Sequence, residues 1–379
     1  LYVIFQSLLL YFSFLLIPMS ALAQNRGFYS VNDMNVNEPM FSFGTTKHRS
    51  ASISLGDINN DGKIDAIIAN GRHWSETNYI FYNSGKGFNV MRPLDDLSST
   101  SYAAELVDLD NDGDLDIVEI NDNAPHRIYL NNGSGRFTFH SEVGAVSNAR
   151  NIALGDLDNN GFIDFIITNR GGQNMICYNN GKLKFDCVKL QTKQNSTIDI
   201  AICDLNGDSL LDLVLANRDN VPNEIFINHG NREFEKKLDF GTGTFETRAV
   251  GVADMNNDGI LDIVTGNINA ANIIYFGSTK FTFKDTLAFG GKDIDTYSIA
   301  LADFNKDGFM DIVTGNYHKP NTVFINQNGN TFEEINLTER SSGTYSVTIG
   351  DINSDGWIDI AIANSDDFNL YYLNIFKNE

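Results

Sequence analysis

One nine-residue stretch constrains what this chain can fold into: Asp57-Ile58-Asn59-Asn60-Asp61-Gly62-Lys63-Ile64-Asp65. Oxygen-bearing side chains stand at its first, third, fifth and ninth positions, with Gly at the sixth. Alternate positions can aim carboxylates and an amide at one point, the Lys63 carbonyl adds another oxygen, and Gly allows the sharp turn between them. The pattern returns as Asp108, Asp110, Asp112, Asp116, then Asp156, Asp158, Asn160, Asp164, then Asp204, Asn206, Asp208, Asp212. It continues as Asp254, Asn256, Asp258, Asp262, then Asp303, Asn305, Asp307, Asp311, and finally Asp351, Asn353, Asp355, Asp359. Successive first aspartates lie 51, 48, 48, 50, 49 and 48 residues apart. Seven copies at a period near 49 mark a repeat protein, overriding the two or three ordinary domains that 379 residues would otherwise suggest.

The net charge of −22 is largely a property of these loops, which hold 22 of the 49 acidic residues: four in the second repeat and three in each of the others. Acids at fixed offsets point to metal binding rather than to a merely solvated surface. A chain this acidic is a poor partner for nucleic acid or an anionic membrane. Residues 1–23 carry no charge, are rich in Leu, Phe, Ile and Tyr, and end in Ala21-Leu22-Ala23. They read as a secretory leader cleaved before Gln24, which makes residues 24–379 the mature, secreted, periplasmic or surface-held chain. The usual basic residues and initiator Met are absent from this segment, and a membrane anchor is the alternative, since the run is just long enough to span. No Cys follows the cleavage position, which argues against a lipoprotein, and no later segment is apolar enough to cross a bilayer. Three Cys are too few for a disulfide scaffold. Cys177 and Cys187, on consecutive expected strands, pair if the hairpin register allows, and Cys203 reads as a buried thiol.

Each repeat has one grammar. A short strand of small and apolar residues (Ala51 to Leu55) leads into the acidic loop, and an Ile/Val/Leu-rich strand leaves it (Ile64 to Ala69). After a polar loop ending in Asn comes a third strand (Asn78 to Tyr82), then an Asn/Gly turn and a fourth strand opening on Phe88, Phe137, Phe185, Phe234, Phe281 or Phe332. No stretch carries a sustained helical period. Four short antiparallel strands per repeat are the grammar of a propeller blade. The seventh repeat ends after its third strand, and Arg26-Gly27-Phe28-Tyr29-Ser30-Val31 matches the missing fourth. The expected fold is therefore an all-β, seven-bladed β-propeller of four-stranded antiparallel blades, closed by the N-terminal strand, which removes the free edges.

The seven acidic loops, the Gly-Asp steps such as Gly56-Asp57, Gly155-Asp156 and Gly350-Asp351, and the Asn-Asn-Gly turns resemble the FG-GAP/VCBS repeat family, whose blades also build the integrin alpha-subunit propeller. The resemblance spans essentially the whole mature chain. It implies a loop between first and second strands closed by the ninth-position Asp, with a ligand face opposite. An EF-hand is excluded because position twelve of the first loop is Ile68, within a strand, rather than a Glu. An all-oxygen, protein-supplied site suits Ca²⁺ over Mg²⁺, and no loop contains the His or Cys that zinc favours. Up to seven ions are expected, with a structural role, and the fourth site is the weakest because Ser209 replaces Gly. Gly207, one step before Asp208, offers a way to shift that turn.

The second-to-third and fourth-to-first connections gather seven of the twelve Arg: Arg49, Arg72, Arg127, Arg150, Arg170, Arg218 and Arg248. Four of the six His join them (His48, His73, His126, His318), with Trp74, Tyr102, Tyr297, Tyr317 and Tyr345. An acidic chain that collects cations on one face is suited to an anionic glycan or protein ligand there. The competing assignment pairs these cations with Glu76, Asp122 and Asp219. Three functions follow: a monomeric recognition or adhesion module without chemistry, a lyase for uronate polymers built on His73, Tyr102 or Tyr297, and Arg150 or Arg248, or a purely structural propeller. No nucleophile elbow, zinc-protease helix or phosphate-binding Gly loop is present.

Overall fold

The computed structural model describes residues 26–29, 41–190, 195–241, 246–337 and 342–376. The leader expected at residues 1–23 lies outside them. The described residues form 28 β-strands, every strand pairing is antiparallel, and none of them forms a helix that could cross a membrane. In the first repeat, His48–Gly56 enters the acidic loop and Asp65–Asn70 returns beside it. Gly56 pairs with Asp65 at the loop end and Ser50 with Asn70 at the other, and Tyr79–Tyr82 and Val90–Pro93 continue outward. The other repeats follow this meander, and in the last of them Leu370–Phe376 pairs with Arg26–Tyr29.

Two of the expected fourth strands start later than the sequence pattern places them. Those at Phe137, Phe185, Phe234 and Phe332 open on the Phe, but the others run Val90–Pro93 and Asp285–Phe289. Phe88 is buried against Phe43 (ring centroids 4.4 Å) directly after Gly87, whose φ is 102°, and Phe281 itself has φ 55°. In both, the backbone is still turning while the ring already serves the core. Cys177 and Cys187 lie directly opposite in register and form a disulfide, and Cys203 is a free, partly buried thiol.

Apolar burial joins one repeat to the next. Ile67 and Ile80 of the first repeat pack with Ile117 and Tyr129 of the second, and Ile352, Ala361 and Tyr371 of the seventh pack with Ile53, Ile68 and Phe81 of the first. Side chains of this size contribute about 1.5–3 kcal/mol each when fully buried. Their second strands are therefore near-continuous apolar runs, as in Asp65–Asn70 and Asp212–Asn217, both buried throughout.

Between these clusters runs a polar ladder. The Asn that opens the third strand accepts the backbone N–H ending the second strand and donates across to a hydroxyl in the next repeat. Asn78 accepts from Asn70 N–H (2.7 Å) and donates to Ser101 Oγ (2.8 Å). Asn174 reaches Thr197, Asn223 reaches Thr247, Asn272 reaches Thr296, Asn321 reaches Thr344 and Asn369 reaches Ser50. Each hydroxyl then donates to the Asn ending its neighbouring strand, as Ser50 does to Asn70 (2.7 Å). The second-to-third step alone departs from this rule, with His126 in the Asn place and Ala149 in the hydroxyl place. Asn169 Oδ1, which should receive that hydroxyl, is buried without a partner among the described residues. His126, which the sequence suggested for the ligand face, instead sits buried with Nδ1 accepting the Asn121 N–H (3.0 Å).

Burial pulls the His126 pKa from 6.5 to about 4. A group whose folded pKa is depressed leaves the folded state short of a proton that the unfolded state takes up. Stability is therefore lost as pH falls below about 6.5, by about 1.4 kcal/mol per unit until the folded value is reached. The double variant His126→Asn/Ala149→Ser restores the ladder used elsewhere. Measured by urea unfolding, its gain over the unmodified chain should be about 2 kcal/mol larger near pH 5 than near pH 7.5. An equal gain at both would contradict this reading.

Candidate functional site

The acidic loops connect first and second strands, so they lie at one end of the strands, and the second-to-third connections lie at the other. Each loop turns through left-handed backbone at its fourth and sixth positions, as at Asn60 (φ 57°) and Gly62 (80°). The fourth loop keeps both, with Gly207 (79°) at position four and Ser209 (70°) at position six. Gly207 therefore does not shift the turn as the sequence suggested. Ser209 accepts the strained conformation at a cost of about 1 kcal/mol and still donates its N–H to Asp204 (2.7 Å).

Within the first loop, Asp57 accepts the N–H groups of Asp61 (3.0 Å) and Gly62 (2.8 Å), and Asn59 Oδ1 also accepts from Asp61 (3.0 Å). The ninth-position aspartate does something different. Asp65 is fully buried, and its two oxygens accept the N–H groups of Ile58 (3.2 Å) and Asn83 (2.7 Å). Asp116, Asp164, Asp212, Asp262, Asp311 and Asp359 repeat this bridge, for example Asp311 to Phe304 (2.8 Å) and Asn326 (2.7 Å). Burial pushes these carboxyls up, against the lowering effect of the two N–H donors. They reach about 6 at Asp65, Asp116, Asp164 and Asp262 and about 7 at Asp311 and Asp359. Acidic neighbours within each loop add to the rise, a tension that a cation would relieve.

The loop residues fit such a cation. In the second and third loops, oxygens of Asp108, Asp110 and Asp116, and of Asp156, Asp158 and Asp164, gather within 4.8 Å of one another. Asp110 Oδ1 and Asp158 Oδ1 are buried with no hydrogen-bond partner among the described residues. A buried carboxylate oxygen without a donor is costly unless a ligand satisfies it. These two clusters could therefore hold metal ions. The third already has a cation beside it, because Arg232 reaches Asp158 (2.8 Å) and Asp186 (3.1 Å) while lying over Tyr178.

At the other end, the sequence-selected cations divide into two kinds. Arg49 pairs with Glu76 (3.3 Å) and Asp366 (3.4 Å), Arg127 with Glu119 (3.5 Å), Arg150 with Asp122 (2.9 Å), Arg170 with Asp219 (3.1 Å) and Arg218 with Glu246 (2.8 Å). Local pairing thus accounts for these five. Arg72 and Arg248 are different: no acid pairs with either among the described residues. Arg72 lies over the Tyr345 ring at 3.9 Å, and Arg248 lies over Tyr297 at 4.0 Å and Tyr345 at 5.3 Å. Arg72 Nε and Nη1 and Arg248 Nε are buried without a hydrogen-bond partner among the described residues.

Arg248, Tyr297 and Tyr345 line a cavity of about 270 Å³, with Arg72 outside its lining against the Tyr345 ring. Every repeat contributes to this lining a residue one step past the ladder position: Ala51, Tyr102, Arg150, Ile198, Arg248, Tyr297 and Tyr345. Glu105 and Asp199 line it as well. Sequence reasoning missed both, although an acid inside the otherwise apolar run Ile198-Asp199-Ile200 was a usable signal. Asp199 accepts from Asn151, Ile200 N–H (2.9 Å) and Val250 N–H (2.8 Å), which ties three inner strands together. His73 lies between Tyr102 (2.9 Å to the hydroxyl) and Asp122 (2.8 Å). Burial pushes the Tyr102 phenol up despite Arg150, Arg248 and Arg72 pulling it down. Trp74 is 55% exposed beneath Arg49, and exposed His318 packs at a tilt against Tyr317, itself parallel to Tyr297 at 4.9 Å. Gly71 makes the Arg72-His73-Trp74 turn possible at φ 108°, where a Cβ would lie 2.4 Å from the Ser99 and Trp74 carbonyl oxygens.

Five segments, 57–119, 108–167, 204–265, 254–314 and 303–362, match the FG-GAP-like repeat. No curated protein matches the chain. Among solved structures, it is similar to BBS1N in complex with ARL6DN, in crystals soaked with mercury (TM-score 0.60, 10% identity, 93% of this chain and 98% of that one). A crystal of the same complex soaked with lead gives TM-score 0.61 at 9% identity over the same shares. At such identities the likeness is one of fold, a β-propeller.

The geometry separates two roles for loop carboxylates. Asp311→Asn places an NH₂ against a backbone N–H and should cost about 2 kcal/mol even in chelator, with a further loss when calcium is present. Asp110→Asn should cost stability only when calcium is present. Thermal unfolding of both variants, with calcium and with chelator, checks this, and equal losses of the two in chelator would refute it.

Proposed function

We propose, from the premise that this chain belongs to the FG-GAP-like repeat family, that it is a secreted or surface-held recognition module: a seven-bladed propeller stabilised by calcium, which binds a glycan or protein at the face opposite its acidic loops. Seven blades are supported by the seven loops and by apolar clusters shared by successive repeats. Closure is supported by the pairing of Arg26–Tyr29 with Leu370–Phe376 and by the Asn83 side chain, which donates to Ile352 O of the seventh repeat (3.0 Å). Calcium is supported by the carboxylate trios and their unpartnered oxygens. Bound in the loops, it would supply positive charge among carboxylates that otherwise repel. At the Kd of about 0.1–1 mM usual for extracellular modules, near-millimolar calcium would add about 0.4–1.4 kcal/mol per site. Secretion is supported by the uncharged leader and by the Cys177–Cys187 disulfide, a bond that persists in oxidising compartments.

One observation carries the recognition reading: Arg72 and Arg248 are the two of these face arginines left without an acid, and both meet the ring of Tyr345 beside a cavity. The similar solved structures hold BBS1N in complex with ARL6DN, which supports a protein as one class of ligand. The lyase reading is favoured by one arrangement, the Asp122–His73–Tyr102 chain beside Arg150. It ranks second because burial holds the Tyr102 phenol protonated rather than ready to take a proton.

On a glycan array, the chain should bind a defined subset of glycans with calcium present and lose them after chelation. Incubation with uronate polymers should release no unsaturated, ultraviolet-absorbing product. Steady release would make the lyase reading correct, and a blank array together with no product would favour a purely structural propeller.

A further inference from the structure

The recognition reading leaves the ligand's chemistry open, and the cavity narrows it. Five of the seven face arginines are already neutralised by Glu76, Glu119, Asp122, Asp219 and Glu246. Among the face arginines, Arg72 and Arg248 are the two without an ion pair among the described residues; Arg248 lines the cavity and Arg72 lies over the ring of Tyr345 in its wall. A broad acidic protein surface would meet mostly paired cations here, so it gains little. A compact ligand with one negative charge would meet the Arg248 guanidinium in the cavity wall, with Arg72 one tyrosine ring away, and charge-assisted bonds to such groups are the strong ones.

The walls point the same way. Tyr102, Tyr297 and Tyr345 border the cavity, with Tyr345 set edge-on to Tyr297 at 5.1 Å and Tyr317 stacked behind Tyr297. Rigid aromatic faces with hydroxyl donors suit a sugar ring, which offers apolar C–H faces and polar edges. The cavity's size suits one such ring. Glu105 and Asp199 share its lining; burial raises both carboxyls toward their neutral forms, and what charge they keep opposes a highly anionic ligand.

We propose that this cavity binds a single anionic sugar residue, a pyranose bearing one carboxylate or one sulfate, with Arg248 holding the anion, Arg72 adding positive charge from against the Tyr345 ring, and Tyr102, Tyr297 and Tyr345 holding the sugar ring. The proposal rests on the recognition reading and specifies its ligand.

Calorimetric titration of the full chain, with calcium present, tests it using galacturonate, galactose 6-sulfate, neutral galactose and inorganic sulfate. One charged sugar should bind at a single site at least tenfold more tightly than galactose and than sulfate ion. The preferred arm, galacturonate or galactose 6-sulfate, identifies the anion. Arg72→Gln should weaken that binding about tenfold, as should added salt. Arg72 lies in a turn, so this variant remains informative if Arg248→Gln fails to fold. Equal affinity for neutral galactose, or an Arg72→Gln variant that binds as well as the original, overturns the proposal. Binding of an acidic peptide such as oligoglutamate, lost in Arg72→Gln and unmatched by any sugar, overturns the sugar assignment while recognition at this face stands. Absence of binding in every arm, peptide included, overturns both.

Discussion

The fold depends on a buried carboxylate that serves two masters. In every repeat the ninth loop position is an aspartate whose two oxygens accept one N–H from the start of its own loop and another from the end of the third strand, as Asp65 does with Ile58 and Asn83. Those two hydrogen bonds fix where the first strand ends and the third ends relative to the second. They also place a negative charge in a buried site beside other acids, which raises its pKa and makes a divalent cation welcome. The same residue thus sets the meander and creates the electrostatic need that the rest of the loop answers.

A second ring of interactions works at the other end. Carboxylates need a cation, but the Asn–hydroxyl ladder is neutral and satisfies itself, so this end is free to carry ligand chemistry. The residue one step past the ladder hydroxyl varies from Ala51 to Arg248, while the ladder residue stays Ser or Thr except at Ala149. Position by position, structural identity and surface diversity are separated by a single residue. That separation lets seven nearly identical units present an asymmetric cavity.

The sequence made the periodic features legible. Seven loops at a fixed period, small residues in the first strands and Phe-led fourth strands were enough for an all-β, antiparallel propeller, and Arg26–Tyr29 pairs with Leu370–Phe376, the strand it was expected to follow. What it hid were features set by partners distant in sequence. The competing assignment named Glu76, Asp122 and Asp219, which do pair with Arg49, Arg150 and Arg170. Glu119 and Glu246 beside Arg127 and Arg218, and the lack of an acid at Arg72 and Arg248 among the described residues, were visible only in the geometry. His126 looked like a surface histidine because its role depends on Ala149 lacking a hydroxyl. Gly207 looked like relief for Ser209, but the loop requires left-handed backbone at both positions. Hydrogen-bond geometry, not residue type, decided each case.

The central claim is that aspartate loops of this geometry hold the sheets together through bound ions. Equilibrium dialysis of the chelated chain against calcium, with metal counted per chain, tests it most directly. The account predicts saturable uptake approaching seven ions, with the fourth loop filling last. A chain that stays folded and takes up no calcium at millimolar free ion would contradict it.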